Sequence, residues 1–395
     1  MKLPDLILRK QQERRLKQGH PWIFSNEIDT TRSPLQHFQP GDLVNVVCHR
    51  GQCLGTAYLN PNTLIAARWL SAQPDCALDT DFFRDRLQRA LLLRQRWFNR
   101  PCYRWVYGES DALPGLVIDR FGSTLAVQIN TAGMERARTP LQEALAEVST
   151  ARSVIVRTDN PLRSLEQLPI NAPEITGEIL PEVIIDENDC RFALDVACGQ
   201  KTGWFYDHRP SRARVAALSN NKSVLDLFSY VGAFGINAAV AGASRVTCVD
   251  SSAPALDLAR HNAQLNGVSQ RMSFTQADVF AFLRDARDRK LEFDVIILDP
   301  PALIKRKKDY QAGIEAYRRL NALALHLLAD HGVLVSASCS YHLPRDVLLR
   351  LINQAATQAK RRLVVFAQDG QGPDHPIHPA MPETEYLKSF FLAAT

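Results

Sequence analysis

The chain has 395 residues, 46% of them hydrophobic and 23% charged, with 47 Lys and Arg against 42 Asp and Glu. That length and apolar content support two or three packed domains, and no apolar run approaches the ~20 residues needed to span a bilayer. The first fifteen residues lack the long apolar stretch of a secretory signal. The eight cysteines form neither a CxxC pair nor a metal-ligand spacing, so reduced thiols in the cytoplasm, without a metal and away from any membrane, are the expectation.

The positive excess is N-terminal: residues 1–110 hold 16 Lys and Arg against 10 Asp and Glu, and the remainder holds 31 against 32. Arg9, Lys10, Arg14, Arg15 and Lys17 precede an aromatic pair, Trp22 and Phe24. Such interleaving suits phosphate attraction and base stacking, and a solvated basic face fits it equally. Apolar runs at 41–49, 51–59 and 64–70, separated by Gly and Asn turns, read as strands of a small β domain. A helix is predicted at 81–97, with Arg86, Arg89, Arg94 and Arg96 on an exposed face. Short strands at 103–107, 115–119, 124–130 and 153–157 flank a helix at 135–148. A hairpin over 183–196, turning at Glu187-Asn188-Asp189, leads into the last part of the chain. The expected divisions are 1–75, 76–181 and 182–395, with the hairpin at 182–196 opening the third.

From residue 223 the periodicity alternates between strand and helix. SVLDLFSYVGAFG at 223–235 reads as a buried strand running into a glycine turn that opens a helix, the place where a nucleotide-like group lies against bare backbone. Further strands follow at 245–250, at 272–278, at 293–298 before Asp299-Pro300-Pro301, and at 333–340. Helix-length segments separate them, so right-handed crossovers bring the strand-end acids Asp226, Asp250, Asp278 and Asp299 to one edge. The prolines in HPIHPAMPETE leave no room for a crossover helix between strands at 363–368 and 386–394. Those two are therefore expected to pair antiparallel.

An antiparallel ending resembles the class I, Rossmann-like S-adenosylmethionine-dependent methyltransferase sheet. That resemblance implies S-adenosylmethionine as methyl donor. It places Asp226, Tyr230 and the Gly232 turn around the methionine half, Asp250 on the ribose and Asp278 on the adenine amino group. Enzymes that methylate exocyclic amines usually follow an acid and two prolines with an aromatic residue, and Ala302 stands there instead. Attention moves to Ser338-Cys339-Ser340. Carbon 5 of a pyrimidine is a poor nucleophile and needs a thiolate added at carbon 6. Cys339 is placed to be that thiolate, with Asp299 stabilising charge on the ring.

GQKTGWFYDHR at 199–209, together with DLFSYVGAFG, LDPPALIK and SASCS, resembles the RlmI family of bacterial 23S ribosomal RNA cytosine-5 methyltransferases over essentially the whole chain. The resemblance implies a PUA-like β-barrel, a small α+β middle domain of strand-strand-helix-strand-strand type, and the methyltransferase sheet at the C-terminus. It also implies Phe205 packed on the cofactor, Asp207 and Arg209 ordering their loop, 23S ribosomal RNA as partner and a homodimer. Lys305, Arg306, Lys307 and Lys308, just past Asp299-Pro300-Pro301, are expected at the pocket mouth against RNA phosphates, as are Arg14 and Arg15. Two other readings stay open: methylation of an RNA amino group or guanine nitrogen with Cys339 merely packed, and a noncatalytic RNA-binding protein.

Overall fold

A computed structural model describes residues 2–178, 180, 182–196 and 203–395. Gly199 to Thr202 of the quoted motif lie outside the described residues, as does Pro181 at the expected division. The chain forms two compact units. One is Met1–Val183 with Asp195–Trp204 and Pro373–Thr384; the other is Ile184–Leu194, Phe205–Gly372 and Glu385–Thr395.

In the first unit β1 (Asp5–Ile7), β2 (Trp22–Phe24), β3 (Asp42–Val47), β4 (Cys53–Leu59) and β5 (Ile65–Ser71) form a sheet ordered β1-β3-β4-β5-β2, with the single turn α1 (Arg14–Lys17) between β1 and β2. Leu6, Ile23, Val44, Val46, Ala57 and Leu59 fill its interior. α2 (Thr80–Gln95) then leads to β6 (Cys102–Tyr107), β7 (Leu116–Phe121), β8 (Thr124–Ile129), α3 (Ala132–Arg136), α4 (Arg138–Val148), β9 (Ser153–Arg157) and β10 (Glu174–Gly177), in sheet order β10-β9-β8-β7-β6. The segment β7-β8-α4-β9-β10 is the strand-strand-helix-strand-strand unit, with β6 added to its edge. β10 was not apparent in the sequence because all four of its residues are exposed, which removes the alternation that marks a half-buried strand.

The barrel and the α+β layer are locked together. The Tyr58 hydroxyl donates to the Pro114 carbonyl at 2.8 Å, Arg68 pairs with Glu166 at 2.8 Å, and a Cβ on Gly133 would come within 2.2 Å of the Tyr58 ring. The helix at 81–97 is present as α2, but Arg94 corrects the reading of its arginines. It is fully buried, forks onto both oxygens of Asp111 at 2.6 and 2.7 Å, and donates to the carbonyls of Arg104 and Asp374.

The second unit opens with the hairpin β11 (Val183–Glu187) and β12 (Cys190–Leu194). Asn188 and Asp189 both adopt positive φ, 51° and 60°, the geometry that closes a two-residue turn. After α5 (Arg209–Leu218) come β13 (Ser223–Leu227), α6 (Ala233–Val240), β14 (Arg245–Asp250), α7 (Ala253–Leu265), β15 (Met272–Gln276), α8 (Val279–Asp288), β16 (Phe293–Leu298), α9 (Tyr310–Leu325), β17 (Leu328–Ser338), α10 (Arg345–Gln358), β18 (Leu363–Asp369) and β19 (Lys388–Ala394). Seven of these strands form one sheet ordered β15-β14-β13-β16-β17-β19-β18. The first five are parallel, and β19 runs antiparallel to both β17 and β18.

The central strands are apolar on both faces, as helices on either side require. Leu225 and Leu227 pack with α8, α9 and α10, whereas Val224 packs with α5 and α6 on the opposite side. Alternation therefore turns Asp226 toward α6. From β13 the chain builds outward through β14 to β15 and then returns to place β16 on the other side of β13, which makes the ends of β13 and β16 the switch point where such sheets bind ligands.

Candidate active site

Between β13 and α6 the backbone makes a contorted passage. Phe228, Tyr230 and Gly232 have φ of 62°, 49° and 77°, and the two that are not glycine are held against a preference of about 1–3 kcal/mol each. The bonds that hold them come from the neighbouring strand. Ser229 N–H donates to the Val249 carbonyl at 3.1 Å and Tyr230 N–H to Asp250 Oδ2 at 2.9 Å, while Asp250 Oδ1 accepts from Ser252 N–H at 2.9 Å. Gly235 lets α6 press onto the sheet, since a Cβ there would lie 2.7 Å from Cys248 Sγ and 3.2 Å from Asp226 Oδ2.

Asp226 is buried under this turn. Its Oδ2 accepts the Gly235 N–H at 2.9 Å, and its Oδ1 is buried with no hydrogen-bond partner. Burial first, with the charges of Asp299 and Asp250 adding to it, lifts its pKa from 3.8 to about 7 against the pull of the Gly235 bond. Phe205 and Tyr230 meet edge to face beside it, ring centres 5.6 Å apart. Phe205 is set by Arg212, which donates to its carbonyl at 2.8 Å and is held by buried Glu187 on the hairpin; Arg209 pairs with the same Glu187 at 3.1 Å. Asp207 accepts the Tyr386 hydroxyl, so Asp207 and Arg209 order this segment. The strand expected over 272–278 is corrected at its end: β15 stops at Gln276, and Asp278 is the exposed N-cap of α8, its Oδ1 accepting the Ala281 N–H at 2.9 Å. A carboxylate two residues past a strand competes for the next helix start.

Asp299 follows the last residue of β16. Its Oδ1 lies 3.2 Å from Nε2 of His208, a buried histidine that the sequence reading did not single out. Burial lowers the His208 pKa, but Asp299 and Asp207 together outweigh that and leave it raised above 6.5. Cys339 follows the last residue of β17, the strand parallel to β16, and is half-buried. The predicted strand start at 333 is also corrected: β17 begins at Leu328, and a register shift between Phe293 and Val295 absorbs Ala329 to Gly332. Around Cys339 the backbone is pinned by neighbours. The Tyr317 hydroxyl bonds both Ser338 Oγ (2.8 Å) and Ser340 Oγ (3.0 Å), and Ser340 Oγ accepts the Ile304 N–H at 3.2 Å. That last bond ties the strand end to the loop carrying Lys305, Arg306, Lys307 and Lys308, all four exposed. In the first unit Arg14 is exposed, but Arg15 is engaged internally, paired with Glu27 at 3.3 Å and stacked 4.6 Å from the Phe24 ring centre.

Among the described residues no cluster of His, Cys, Asp or Glu is arranged to hold a metal ion, and no helix is long and apolar enough to cross a membrane. A cavity of about 960 Å³ lies in the first unit between α2 and the loop after β5, and none of the expected site residues lines it.

Residues 6–72 match the PUA-like domain family, and residues 138–377 match the S-adenosylmethionine-dependent methyltransferase family. Ribosomal RNA large subunit methyltransferase I of Escherichia coli is 36% identical over 391 residues, 98% of each chain. Its counterpart in Cronobacter sakazakii is equally similar, with the same coverage. The chain belongs to this methyltransferase I family. It is an S-adenosylmethionine-dependent methyltransferase with a PUA-like N-terminal domain. A putative methyltransferase solved in complex with SAH shares the fold, with a TM-score of 0.85 at 21% identity over 99% of this chain and all of that one. A putative methyltransferase from Streptococcus mutans shares it at 0.83, also at 21% identity, over 99% of this chain and all of that one.

Proposed function

We propose that this methyltransferase acts on carbon 5 of a cytosine in 23S ribosomal RNA, with Cys339 as the nucleophile. The observation that carries the reading is the position of Cys339 and Asp299 at the carboxyl ends of adjacent parallel strands, beside the switch point. The relatives named for the large ribosomal subunit support RNA as the substrate.

The methyl donor finds fitting groups at the glycine turn. The unpartnered Oδ1 of Asp226 suits the donor's ammonium, which would complete its bonding and favour its charge. Phe205 and Tyr230 offer aromatic edges, and Asp250 and Asp278 retain lone pairs for ribose and adenine. The donor's contribution is an electrophilic methyl on a sulfonium. Cys339 Sγ, as thiolate, bonds to carbon 6, and the electron pair of the 5,6 double bond moves toward N3. Asp299, oriented by His208, accepts from the exocyclic amino group or stabilises the ring at N3. Carbon 5 would bond to the methyl as the methyl–sulfonium bond breaks and its electron pair stays on sulfur, leaving neutral S-adenosylhomocysteine; a base then takes the carbon 5 proton, and the C6–S bond breaks to return the thiolate and the aromatic ring. The target base must leave its stack, at a cost of a few kcal/mol. The exposed Lys305 to Lys308 loop and Arg14 would offset this through phosphate contacts. Arg15, already paired, contributes less.

Nucleoside mass spectrometry of 23S ribosomal RNA tests the reading in cells lacking the gene and carrying either wild type or Cys339→Ala. One 5-methylcytidine should vanish with the gene and return only with the wild type, while the purified variant still binds labelled S-adenosylmethionine. Full methylation by Cys339→Ala would instead favour an amino-group methyltransferase. Failure of the wild type to bind the donor would favour a noncatalytic RNA-binding role.

A further inference from the structure

Lys388 occupies an unusual place for a lysine. It opens β19 directly across from Ser338, the last residue of β17, and so stands one residue from Cys339. It is only 6% exposed. Its Nζ donates to the carbonyls of Ser340 (2.7 Å) and Leu343 (2.9 Å), the two ends of the turn that follows Cys339. An ammonium has three donors, and among the described residues no carboxylate lies within 4.0 Å of this one.

The ionisable groups facing Lys388 are Cys339, Arg345 and Glu385, and Glu385 is half-exposed beside Arg345 at 3.7 Å. Burial lowers the Lys388 pKa from 10.5 to about 8, Cys339 opposes that fall, Arg345 adds to it and Glu385 opposes it. Cys339 also acts on Tyr317, whose phenol is pushed up mainly by burial and stays neutral. Lys388 is thus a buried cation whose field reaches this sulfur from a fixed place on the turn that follows it. Bracing a turn does not require one, because a neutral amide donor also satisfies two carbonyls, and a buried ammonium costs stability wherever it is not compensated.

We propose that Lys388 is a positioning residue for Cys339: fixed on the Ser340 and Leu343 carbonyls, its ammonium holds the sulfur as thiolate before attack and receives it as thiolate when the C6–S bond breaks. This rests on Cys339 being the nucleophile.

The test is peptide-resolved alkylation of Cys339 by iodoacetamide across pH in the full chain, comparing wild type, Lys388→Met and Lys388→Arg, with exposed Cys53 as internal reference. In wild type the rate should rise with a breakpoint below the ~8.5 of an ordinary thiol. In Lys388→Met the breakpoint moves up, and the rate at pH 7 drops about tenfold, as loss of one close opposite charge predicts. Lys388→Arg restores the wild-type profile, and Cys53 is unchanged throughout. A purely structural lysine would alter the rate by one factor at every pH and leave the breakpoint alone. Coincident profiles in wild type and Lys388→Met overturn the inference. So does a wild-type breakpoint at or above the ordinary value, which needs no variant to fold. Methylation by Cys339→Ala would overturn the nucleophile and this inference with it, whereas an inactive Cys339→Ala with coincident profiles overturns this inference alone.

Discussion

Asp226→Asn separates the cost of the buried carboxylate from its use. The native carboxyl has its pKa raised from 3.8 to about 7, so between those values the folded protein holds a proton that the unfolded chain has released. Stability from this group is therefore complete below about pH 4 and is lost as pH rises through 7. Integrated over the whole window the loss is about 4 kcal/mol, and between pH 5 and 8 about 2.5 kcal/mol. Asparagine keeps the acceptor for Gly235 N–H and has nothing to ionise. The difference in stability between variant and wild type should thus shift toward the variant by ~2–3 kcal/mol over that interval. Titrations shared by both proteins cancel in this comparison, including that of His208. Every tryptophan lies in the first compact unit, so indole fluorescence reports the wrong part of the chain. Hydrogen exchange of peptides covering β13 and β14 in moderate denaturant, corrected for intrinsic rates, reads the right one. Donor affinity supplies a second measure: between pH 5 and 7 the wild type should bind S-adenosylmethionine more tightly as Asp226 ionises, and Asp226→Asn should bind weakly with no such slope. Parallel stability curves for the two proteins from pH 5 to 8 would refute the electrostatic account.

Gly235→Ala should destabilise the second unit by ~1–3 kcal/mol through overpacking, because the new Cβ would lie 2.7 Å from Cys248 Sγ and 3.0 Å from Val246 Cγ1. Adding Cys248→Ala should recover part of that loss, measured by the same β13–β14 exchange. Replacing Lys305, Arg306, Lys307 and Lys308 by alanine should weaken RNA binding at low salt and flatten the dependence of log K on log salt by up to ~3, each phosphate contact contributing about 0.7–0.9. Donor binding should not change. A salt slope equal to that of wild type would show that the loop does not touch phosphate.

The parallel core was legible because β13, β14 and β16 carry apolar runs with an acid within one residue of their carboxyl ends, and these follow from local spacing. The hairpin was legible from Asn188-Asp189, whose positive φ is a local preference. What escaped depends on contacts between distant parts of the chain. Arg94 sits among helix-forming arginines that look alike in sequence, and one of its partners, Asp374, is 280 residues away. Antiparallel pairing of the last strand was foreseen, but register was not, and register decides that Lys388 stands across from Ser338 at the end of β17. A signal for Lys388 existed nonetheless: YLKSFFLAA carries one charge in an otherwise apolar strand, where charged residues are rare unless engaged. His208 offered less, since a histidine followed by Arg-Pro carries no pattern of its own.

The placement of strain and charge constrains how the cofactor assignment can be dissected. Asp250 braces Phe228 to Gly232 through Tyr230 N–H and holds Ser252 N–H at the same time. Its removal would loosen a turn that those bonds help to hold bent, and weaker donor binding would follow whether or not Asp250 touches the ribose. Asp226 is different, since its one bond within the protein is kept by asparagine and only the charge is lost. Asp278 spends one oxygen on the α8 cap, and asparagine there would also preserve capping. The amide substitutions at 226 and 278 consequently test the proposed donor contacts, and any substitution at 250 reports first on the turn. On the proposed assignment the turn and the pocket are one structure: Asp250 would both shape the backbone and face the donor, so its loss would be felt twice.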